Sequence, residues 1–294
     1  MAHGTPSSLD QMPAYLTRVR GGRPPSEELI AEITANYAAI GGRSPLTDIT
    51  LRQRNALRDR LGPAYRVLVG MRNWDPLIAD VLPALAGSDV DRVIGIPLAP
   101  QFSSLSVQKY ADAATAALPA GITFACVPSY HAHPLLHRAF AERVCEAGLP
   151  ALDEEVLFTA HALPERVIRG GDPYREQVEA TASGVAAELR LAGWRLGFQS
   201  AGRTPEPWIG PDISEMIRDR AAAGVRKLLV VPVGFVCDHT EILFDIDVQA
   251  AGAARTCGVA LRRSPSLNTS PTFIALLDDL VRTPAAIDFR SPEP

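Results

Sequence analysis

Short runs of apolar residues alternate along the chain with longer stretches in which apolar positions recur every three or four residues. Buried parallel strands are rich in Val, Ile and Leu, whereas amphipathic helices show the longer period. The short runs predict strands near residues 65–70, 92–98, 122–127, 155–160, 195–199, 227–233 and 258–262. The longer stretches predict helices near residues 9–20, 26–40, 47–61, 76–86, 105–117, 134–147, 174–192, 212–223, 240–252 and 270–282. This alternation is typical of an α/β protein whose parallel sheets are flanked by helices.

Two short motifs occur twice in the same order, which indicates an internal duplication. Residues 2–6 and 160–164 share the pattern Ala-His-x-x-Pro, and residues 96–99 resemble 231–234. A chain of 294 residues is also long enough for two domains. We therefore predict an N-terminal Rossmann-like domain over 1–150 with a helical insertion at about 9–61, a C-terminal one over 151–269, a C-terminal helix over 270–284 that packs back on the first domain, and a tail over 285–294.

The duplication also predicts a strand that the first half does not show. In the second half, the apolar run at 155–159 leads directly into the Ala-His-x-x-Pro turn. Only Met1 stands before the corresponding turn of the first half. We therefore expect the chain as numbered to lack a first strand of about six residues, a usual strand length.

Composition and charge narrow the class of protein. Hydrophobic residues make up 47% of the chain, charged residues 21%, and the net charge is -4, which is typical of a globular protein and not of a nucleic-acid binder. The sequence has no apolar run of about 18 residues and no signal-peptide pattern at its start, so we expect a cytoplasmic protein without a transmembrane segment. The cysteines are far apart, so we expect four buried thiols and no local zinc or iron–sulfur motif; they are Cys126, Cys145, Cys237 and Cys257.

Candidate chemistry lies in the turns after strands, because ligands of parallel α/β sheets bind at the carboxyl ends of the strands. Two of these turns contain a histidine, His3 and His161, which either approach a ligand or serve a structural role. A loop over 198–212, rich in Gly and Pro, either contributes to function or forms a rigid crossover in which Trp208 fills the base of the domain. No Gly-x-Gly-x-x-Gly or P-loop pattern supports a nucleotide cofactor.

The turn after the strand near 227–233 leads into an acidic helix. Asp238 and Glu241 have the spacing of a capping box, which is a structural motif. Glu241, Asp245 and Gln249 also recur every four residues, which places two carboxylates and an amide on one helix face. Beside an imidazole, such a face suits a divalent cation or a proton relay.

Six segments of the chain resemble the ferrochelatase family, and most of all its bacterial coproporphyrin III members. They begin with Met-Ala-His-Gly-Thr-Pro and follow the family's order, at residues 1–6, 39–46, 98–108, 159–165, 199–212 and 231–241. The resemblance implies two Rossmann-like, chelatase-type domains around a porphyrin cleft. It further implies a lyase of haem biosynthesis that inserts Fe²⁺ into a porphyrin, releases two protons and uses no organic cofactor. Because no cysteine cluster follows residue 257, we expect no iron–sulfur cluster.

The resemblance also implies roles for individual residues. His161 and Glu241 match the family's metal-binding histidine and the carboxylate beside it, and we expect this pair to bind iron and handle protons. Five other residues match substrate-contacting positions: His3, Arg20, Tyr37, Ser44 and Tyr110. His3 stands where related enzymes often have a tyrosine, Gly21 replaces an arginine, and Gln249 replaces an acid of a secondary metal site.

The expected function is insertion of Fe²⁺ into coproporphyrin III to give coproheme, with a later enzyme of the haem pathway as a downstream partner. Two alternatives stay open at this point. The first is a chelatase for protoporphyrin IX or a related tetrapyrrole, and the second is a haem or porphyrin carrier without catalytic activity. The presence of both His161 and Glu241 favours an enzyme.

Overall fold

The structure is a computed structural model that describes residues 1–202, 204–283 and 287–288, the last two by their backbone alone. The described helices are α1 Met12–Val19, α2 Glu27–Ala39, α3 Leu46–Leu61, α4 Ile78–Val81, α5 Val107–Ala117, α6 Pro134–Ala147, α7 Glu165–Arg169, α8 Tyr174–Leu189, α9 Ile213–Ala222, α10 Thr240–Leu243, α11 Ala251–Thr256 and α12 Pro271–Arg282. The described strands are β1 Arg92–Gly95, β2 Thr123–Cys126, β3 Glu155–His161, β4 Arg195–Gln199, β5 Lys227–Val231, β6 Ala260–Arg263 and β7 Ile287–Asp288. None of these helices is long and apolar enough to cross a lipid bilayer.

The chain divides into two compact units. Unit 1 contains Met1–Tyr130 and the chain from Phe273 onward, and unit 2 contains His131–Thr272. The division therefore falls before α6, and not at residue 150 where the sequence pattern places it. The reason is close packing of α6 on α8: a side chain at Gly184 would lie 2.2 Å from the ring of His137, so only glycine lets that ring reach the α8 backbone. Most of the predicted tail, 285–294, lies outside the described residues.

Unit 1 contains a small sheet in the order β1-β2-β7. β1 and β2 are parallel, as predicted, and pair from Arg92 with Thr123 to Gly95 with Cys126. β7 adds an antiparallel strand at the edge, which the sequence pattern did not predict. Phe124 of β2 is fully buried between the sheet and the helices that cover it, in one apolar cluster with residues of α4 and α5.

Residues 65–70 are not a strand, and that prediction is wrong. In the described part of the chain, residues 66–69 make no backbone–backbone hydrogen bonds. Strand-like backbone pairing begins at Met71, which forms parallel bridges with Ala2 and Leu77. The apolar sequence has the character of a strand, but a strand exists only where a neighbour accepts its backbone hydrogen bonds.

Unit 2 contains a four-stranded, wholly parallel sheet in the order β4-β3-β5-β6. β3 lies in the middle, and its residues from Val156 to Ala160 are buried on both faces. Helices α9 to α11 cover one face with an apolar cluster that includes Ile217, Ile242 and Ile246. The prediction of an α/β fold with parallel sheets flanked by helices is confirmed. Because the strands are parallel, the carboxyl ends of β3, β4 and β5 lie side by side.

The helix predicted over 240–252 is interrupted. α10 is a single short helix, residues Asp245–Ala250 form a π-helix, and α11 follows. The wider turn is visible in the backbone, where the Gln249 nitrogen donates to the Phe244 oxygen at 2.9 Å. π-helical turns are rare and occur frequently at functional sites.

Candidate active site

His161 is the last residue of β3, and its imidazole emerges at the carboxyl edge of the sheet. The neighbouring residues Ala160 and Ala162 are buried, whereas the His161 side chain is 33% exposed. Its Nδ1 hydrogen-bonds the Ala162 carbonyl oxygen. Because a carbonyl only accepts, the proton of a neutral ring lies on Nδ1, and the lone pair of Nε2 is directed away from that contact.

Glu241 lies in α10 and faces this nitrogen. Its Oε2 is 3.7 Å from His161 Nε2, which is longer than a direct hydrogen bond. Two ligands that each lie about 2.1 Å from one ion are at most about 4.2 Å apart, so this spacing admits one metal ion between the two atoms. In the absence of an ion, either of these two atoms can accept a proton. The structure thus brings together the two residues that the sequence predicts as the metal-binding pair.

The turn between β5 and α10 reaches the end of β3 because residue 234 is glycine. A Cβ at Gly234 would lie 2.6 Å from the Cβ of Ala160, far inside van der Waals contact. The Gly234 nitrogen donates to the Thr159 oxygen at 3.1 Å, which fixes the turn on β3. From the other side, Gln199 at the end of β4 donates from Nε2 to the Glu241 backbone oxygen at 2.5 Å. These contacts hold α10 beside His161.

His239 is a third functional group that the sequence analysis did not single out. Its Nε2 also lies 3.7 Å from Glu241 Oε2, and its Nδ1 lies 3.0 Å from the Cys237 carbonyl oxygen. Burial opposes protonation of His239, but the Glu241 carboxylate, the Cys237 carbonyl and the Asp245 carboxylate together offset this effect and raise the pKa of the imidazole. The Asp-His-x-Glu spacing is the signal that could have identified it, since the residue two positions before a site carboxylate lies in the same turn.

Asp245 extends the acidic group into the π-helix. Burial, followed by the neighbouring Glu241 carboxylate, raises its pKa to about 6. The Ser200 hydroxyl donates a hydrogen bond to the Asp245 carboxylate and lowers that pKa in part. Gln249, the third residue of the predicted face, is exposed. Within the described residues, no group of three or more His, Cys, Asp or Glu side chains is arranged to hold a metal ion.

The capping box predicted for Asp238 and Glu241 is wrong. The residue before α10 is His239, and it makes no side-chain cap. The Asp238 carboxylate instead accepts hydrogen bonds from Ser266 Oγ at 2.7 Å and Asn268 Nδ2 at 2.8 Å. The sequence spacing fits a cap, but these long-range partners give Asp238 a different role: it anchors the turn to the chain that follows β6.

Tyr174, the first residue of α8, closes the buried side of the site. Burial and the nearby Glu241 carboxylate both raise the pKa of its hydroxyl, and the neighbouring backbone of His161 lowers it in part. Tyr174 therefore stays protonated at neutral pH. The sequence analysis did not identify this contact, because nothing in the spacing links residue 174 to the end of β3.

The loop after β4 holds the turn that follows His161. One alternative placed Trp208 at the base of the domain; instead, its ring packs on Gly202 inside the loop and remains partly exposed. Residue 203 lies outside the described residues. Three backbone hydrogen bonds join the loop to the turn. In each, the nitrogen of the first residue donates to the carbonyl oxygen of the second: Ala162 to Gln199 at 2.7 Å, Ile209 to Leu163 at 2.8 Å and Glu165 to Pro207 at 2.9 Å.

His3 lies in unit 1 and is held by two polar partners. Its Nε2 is 3.0 Å from the Tyr15 hydroxyl and 3.1 Å from the Asn73 side-chain nitrogen. The ring of Tyr15 meets both His3 and Trp74 edge-on. This cluster fixes the orientation of the His3 imidazole and gives it contacts that the sequence analysis did not foresee.

The other four predicted contact residues also lie in unit 1. Tyr37 and Tyr110 are only 3% and 6% exposed, and Tyr37 packs in one apolar cluster with Tyr15. Ser44 is buried, and its hydroxyl accepts a hydrogen bond from the Leu46 nitrogen at 3.3 Å. Arg20, at the end of α1, is exposed and presents its guanidinium to solvent.

The cysteines differ from the expectation of four buried thiols. Cys126 and Cys237 are buried, but Cys145 is exposed and Cys257 is half-buried. Burial raises the pKa of Cys126 and of Cys237 to about 12. Both thiols are therefore protonated at neutral pH.

Solved structures identify the class of this fold. The sirohydrochlorin chelatase SirB from Bacillus subtilis subspecies spizizenii, in complex with cobalt, superposes with a TM-score of 0.53 at 11% identity, over 79% of this chain and 87% of that one. At such low identity the likeness concerns the fold alone. The fold is that of the metal chelatases.

Sequence relatives identify the family. The Ferrochelatase family model matches residues 1–285. The ferrochelatase of Deinococcus radiodurans is 42% identical over 300 residues, which cover 97% of this chain and 95% of that protein. The coproporphyrin III ferrochelatase of Anoxybacillus flavithermus is 36% identical over 294 residues, 96% of this chain and 93% of that protein. The chain belongs to the ferrochelatase family, and it is an enzyme of haem biosynthesis that inserts a metal ion into a porphyrin.

Proposed function

We propose that this ferrochelatase inserts Fe²⁺ into coproporphyrin III to give coproheme, with His161 and Glu241 as its catalytic, metal-binding pair. The observation that carries this proposal is the 3.7 Å distance between His161 Nε2 and Glu241 Oε2 at the carboxyl edge of a parallel sheet. An imidazole and a carboxylate are both ligands of Fe²⁺. A pair of protein ligands also leaves coordination positions open, as an ion that must be passed on requires.

The chemistry requires a balance of charge and protons. The porphyrin loses two pyrrole protons and gains Fe²⁺, so the product has the charge of the starting macrocycle. His161 Nε2 and the Glu241 carboxylate replace water around the arriving ion and offset its charge. Once the ion has passed to the macrocycle, the same two groups are bases that accept the displaced protons. Gln199 holds Glu241 beside His161 through its hydrogen bond to the Glu241 backbone oxygen.

The porphyrin type is inferred from unit 1. The Ala-His-Gly-Thr-Pro turn and Arg20 resemble the coproporphyrin enzymes, and the exposed Arg20 can bind a propionate in a bidentate manner. The Anoxybacillus flavithermus relative is named a coproporphyrin III ferrochelatase, which supports the same choice. We assign porphyrin contacts to the five predicted residues of this unit.

Four further expectations belong to this proposal. The enzyme works in the cytoplasm, it needs neither an organic cofactor nor an iron–sulfur cluster, and a later enzyme of the haem pathway receives its product. The wide spacing of the four cysteines supports the absence of a cluster. The fourth is the duplication, in which the two halves of the chain derive from one ancestral unit; the repeated Ala-His-x-x-Pro motif supports it.

The test is anaerobic Fe²⁺ insertion into coproporphyrin III and protoporphyrin IX, measured side by side by absorbance of the metallated product. We expect turnover with coproporphyrin III and at least about a thousandfold loss of it in His161→Ala, whose circular dichroism and melting temperature stay those of the wild type. Turnover with protoporphyrin IX alone would contradict the substrate. Tight porphyrin binding without insertion would favour the carrier, and wild-type rates in His161→Ala would exclude the proposed pair.

A further inference from the structure

Arg263, the last residue of β6, joins two carboxylates that lie on either side of the candidate site. Its Nε and Nη2 donate to Oδ1 and Oδ2 of Asp247 at 2.7 and 2.9 Å, the bidentate geometry that suits a guanidinium. Its Nη1 lies 3.3 Å from Asp238 Oδ1. The side chain is only 14% exposed. Burial opposes its charge, but the carboxylates of Asp247 and Asp238 raise the pKa of the guanidinium, which therefore stays charged.

The two carboxylates mark the ends of the segment 238–247, which carries the carboxylate of the candidate metal-binding pair. Asp238 stands three residues before Glu241, and Asp247 stands two residues after Asp245. All of α10 lies between these two ends. One guanidinium therefore fixes both ends of the segment that presents Glu241.

The helix α10 cannot hold this position by itself. It has four residues, and its N-terminus has no side-chain cap. A single helical turn is unstable in isolation, because its formation fixes several residues for one hydrogen bond. Contacts with the sheet must therefore set the position of the segment.

The π-helix is held at both edges of the four-stranded sheet. Asp245 and Asp247 are two positions apart, so their side chains point to opposite sides of the helix. Asp245 accepts a hydrogen bond from Ser200, which follows β4, whereas Asp247 pairs with Arg263 of β6. β4 and β6 are the two edge strands of this sheet. Arg263 is thus the counterpart of Ser200 at the opposite edge, and together they fix the rotation of the segment that presents Glu241.

The backbone that carries Arg263 is itself part of the sheet. In the parallel register of β5 and β6, Arg263 lies opposite Val230. The next nitrogen, that of Ser264, donates to the Val230 oxygen at 2.9 Å. Arg263 Nη1 also donates to the Ser264 oxygen at 3.0 Å, which orients the guanidinium. The side chain therefore connects the sheet rigidly to the segment 238–247.

We propose that Arg263 is a positioning residue for metal insertion: it holds both ends of the segment 238–247 and thereby keeps Glu241 Oε2 at 3.7 Å from His161 Nε2. The inference rests on the proposed function, in which these two groups form the metal-binding pair. Lysine cannot replace arginine in this role. A single ammonium group cannot make the bidentate contact with one carboxylate and hold a second one in a fixed direction.

Arg262 offers a matched control in the same strand. Neighbouring residues of a strand point to opposite faces, so Arg262 points away from the segment 238–247. It makes an equivalent bidentate pair with Glu154, at 2.7 Å from Nε and 2.6 Å from Nη2. Arg262→Lys therefore removes the same kind of ion pair and leaves the candidate site intact.

The experiment measures kcat, the KM for the porphyrin and the melting temperature in anaerobic Fe²⁺ insertion, for Arg263→Lys, Arg262→Lys, Glu241→Gln and the double variant Arg263→Lys with Glu241→Gln. We expect Arg263→Lys to lower kcat at least about tenfold at constant KM, because a displaced carboxylate slows the reaction without changing porphyrin binding. Arg262→Lys should lower the melting temperature to a similar extent and leave kcat unchanged. In the Glu241→Gln background, the lysine should change kcat by less than about twofold, since no carboxylate is left to position. Asp247→Asn removes only the bidentate contact and should lower kcat about threefold or more, which tests the same role should Arg263→Lys not fold.

Three results would overturn the positioning role. The first is wild-type kcat in a folded Arg263→Lys or Asp247→Asn protein beside a normal loss in Glu241→Gln, which would leave the proposed function in place. The second is an equal fall of kcat in Arg262→Lys, because lower stability alone would then explain both. The third is a full tenfold loss from the lysine in the Glu241→Gln background. Wild-type turnover in Glu241→Gln would instead overturn the proposed metal-binding pair, and the positioning role with it.

Discussion

The substitution Gly234→Ala adds one methyl group where the turn before α10 contacts β3, and it tests whether this contact positions Glu241. Its Cβ would lie 2.6 Å from the Cβ and 2.8 Å from the Cα of Ala160, whereas carbon atoms in contact are about 3.5–4.0 Å apart. Ala160 is fully buried, and the second of these atoms is backbone, so β3 cannot move away. The turn must therefore shift by about 1 Å, and it carries Glu241 away from His161.

We expect Gly234→Ala to lower the free energy of unfolding by about 1–3 kcal/mol, the usual effect of one extra carbon in a packed interior. A displacement of about 1 Å at reacting groups costs about a hundredfold in rate, so kcat for iron insertion should fall by that factor. The KM for the porphyrin should change little, because Gly234 belongs to unit 2 and the predicted porphyrin contacts belong to unit 1. Urea unfolding and the anaerobic insertion assay measure the two effects.

Gly193→Ala is the matched control, because a Cβ at that position has no heavy atom within 4 Å. Its stability should stay within about 0.5 kcal/mol of the wild type, and its turnover should be unchanged. A folded Gly234→Ala protein with wild-type turnover would refute the argument that this close approach positions Glu241. Equal losses in the control would show that alanine is harmful in these turns for another reason.

Three further predictions concern the charged groups. Glu241→Gln should reduce kcat about 10²- to 10³-fold with porphyrin binding unchanged, since the amide can neither offset the charge of the ion nor accept a proton; equal losses in a binding titration would make Glu241 structural. Asp245→Asn should remove one contribution to the pH dependence of stability. The folded pKa of Asp245 lies above the unfolded one, so the stability that this group contributes is fully present below about pH 4 and is lost, by up to about 3 kcal/mol, as pH rises through about 6; the difference between urea titrations of the two proteins measures it. Arg20→Ala should raise the KM for coproporphyrin III about tenfold at constant kcat, whereas Arg52→Ala, another exposed arginine of unit 1, should not.

The strand-end rule made His161 and Glu241 candidates, and the resemblance to the ferrochelatase family made them a pair. Short-range spacing failed in the same turn. His161 and Glu241 follow two different strands, so their approach depends only on the two strands being neighbours in a parallel sheet. Asp238 and Glu241 lie in one turn, where spacing suggested a cap, but residues 266 and 268 from the far side of β6 take the Asp238 carboxylate. Local patterns fail where a long-range partner offers a better hydrogen bond.

The sequence pattern predicted helices more reliably than strands, because a strand also depends on a long-range partner. An amphipathic stripe identifies α12, whose residues Phe273, Leu276 and Leu280 are buried. The run at 65–70 has an equally clear apolar pattern, yet it forms no strand. A helix satisfies its own backbone, whereas a strand needs a neighbour, and the pattern of one segment does not report whether its neighbour is present.

The two residues that complete the site show why its full composition needed the structure. Gln199 pairs with His161 in the β3–β4 register, so its place at the sheet edge follows from topology. Ser200 is different, because its backbone is in the left-handed region with φ 62°, and this turn is what aims its hydroxyl at Asp245. A non-glycine residue adopts that conformation only where the surroundings enforce it. The position of the Asp245 carboxylate therefore depends on the residue that follows β4 as well as on the sequence of the π-helix. The four-residue spacing of Glu241 and Asp245 does not contain that information.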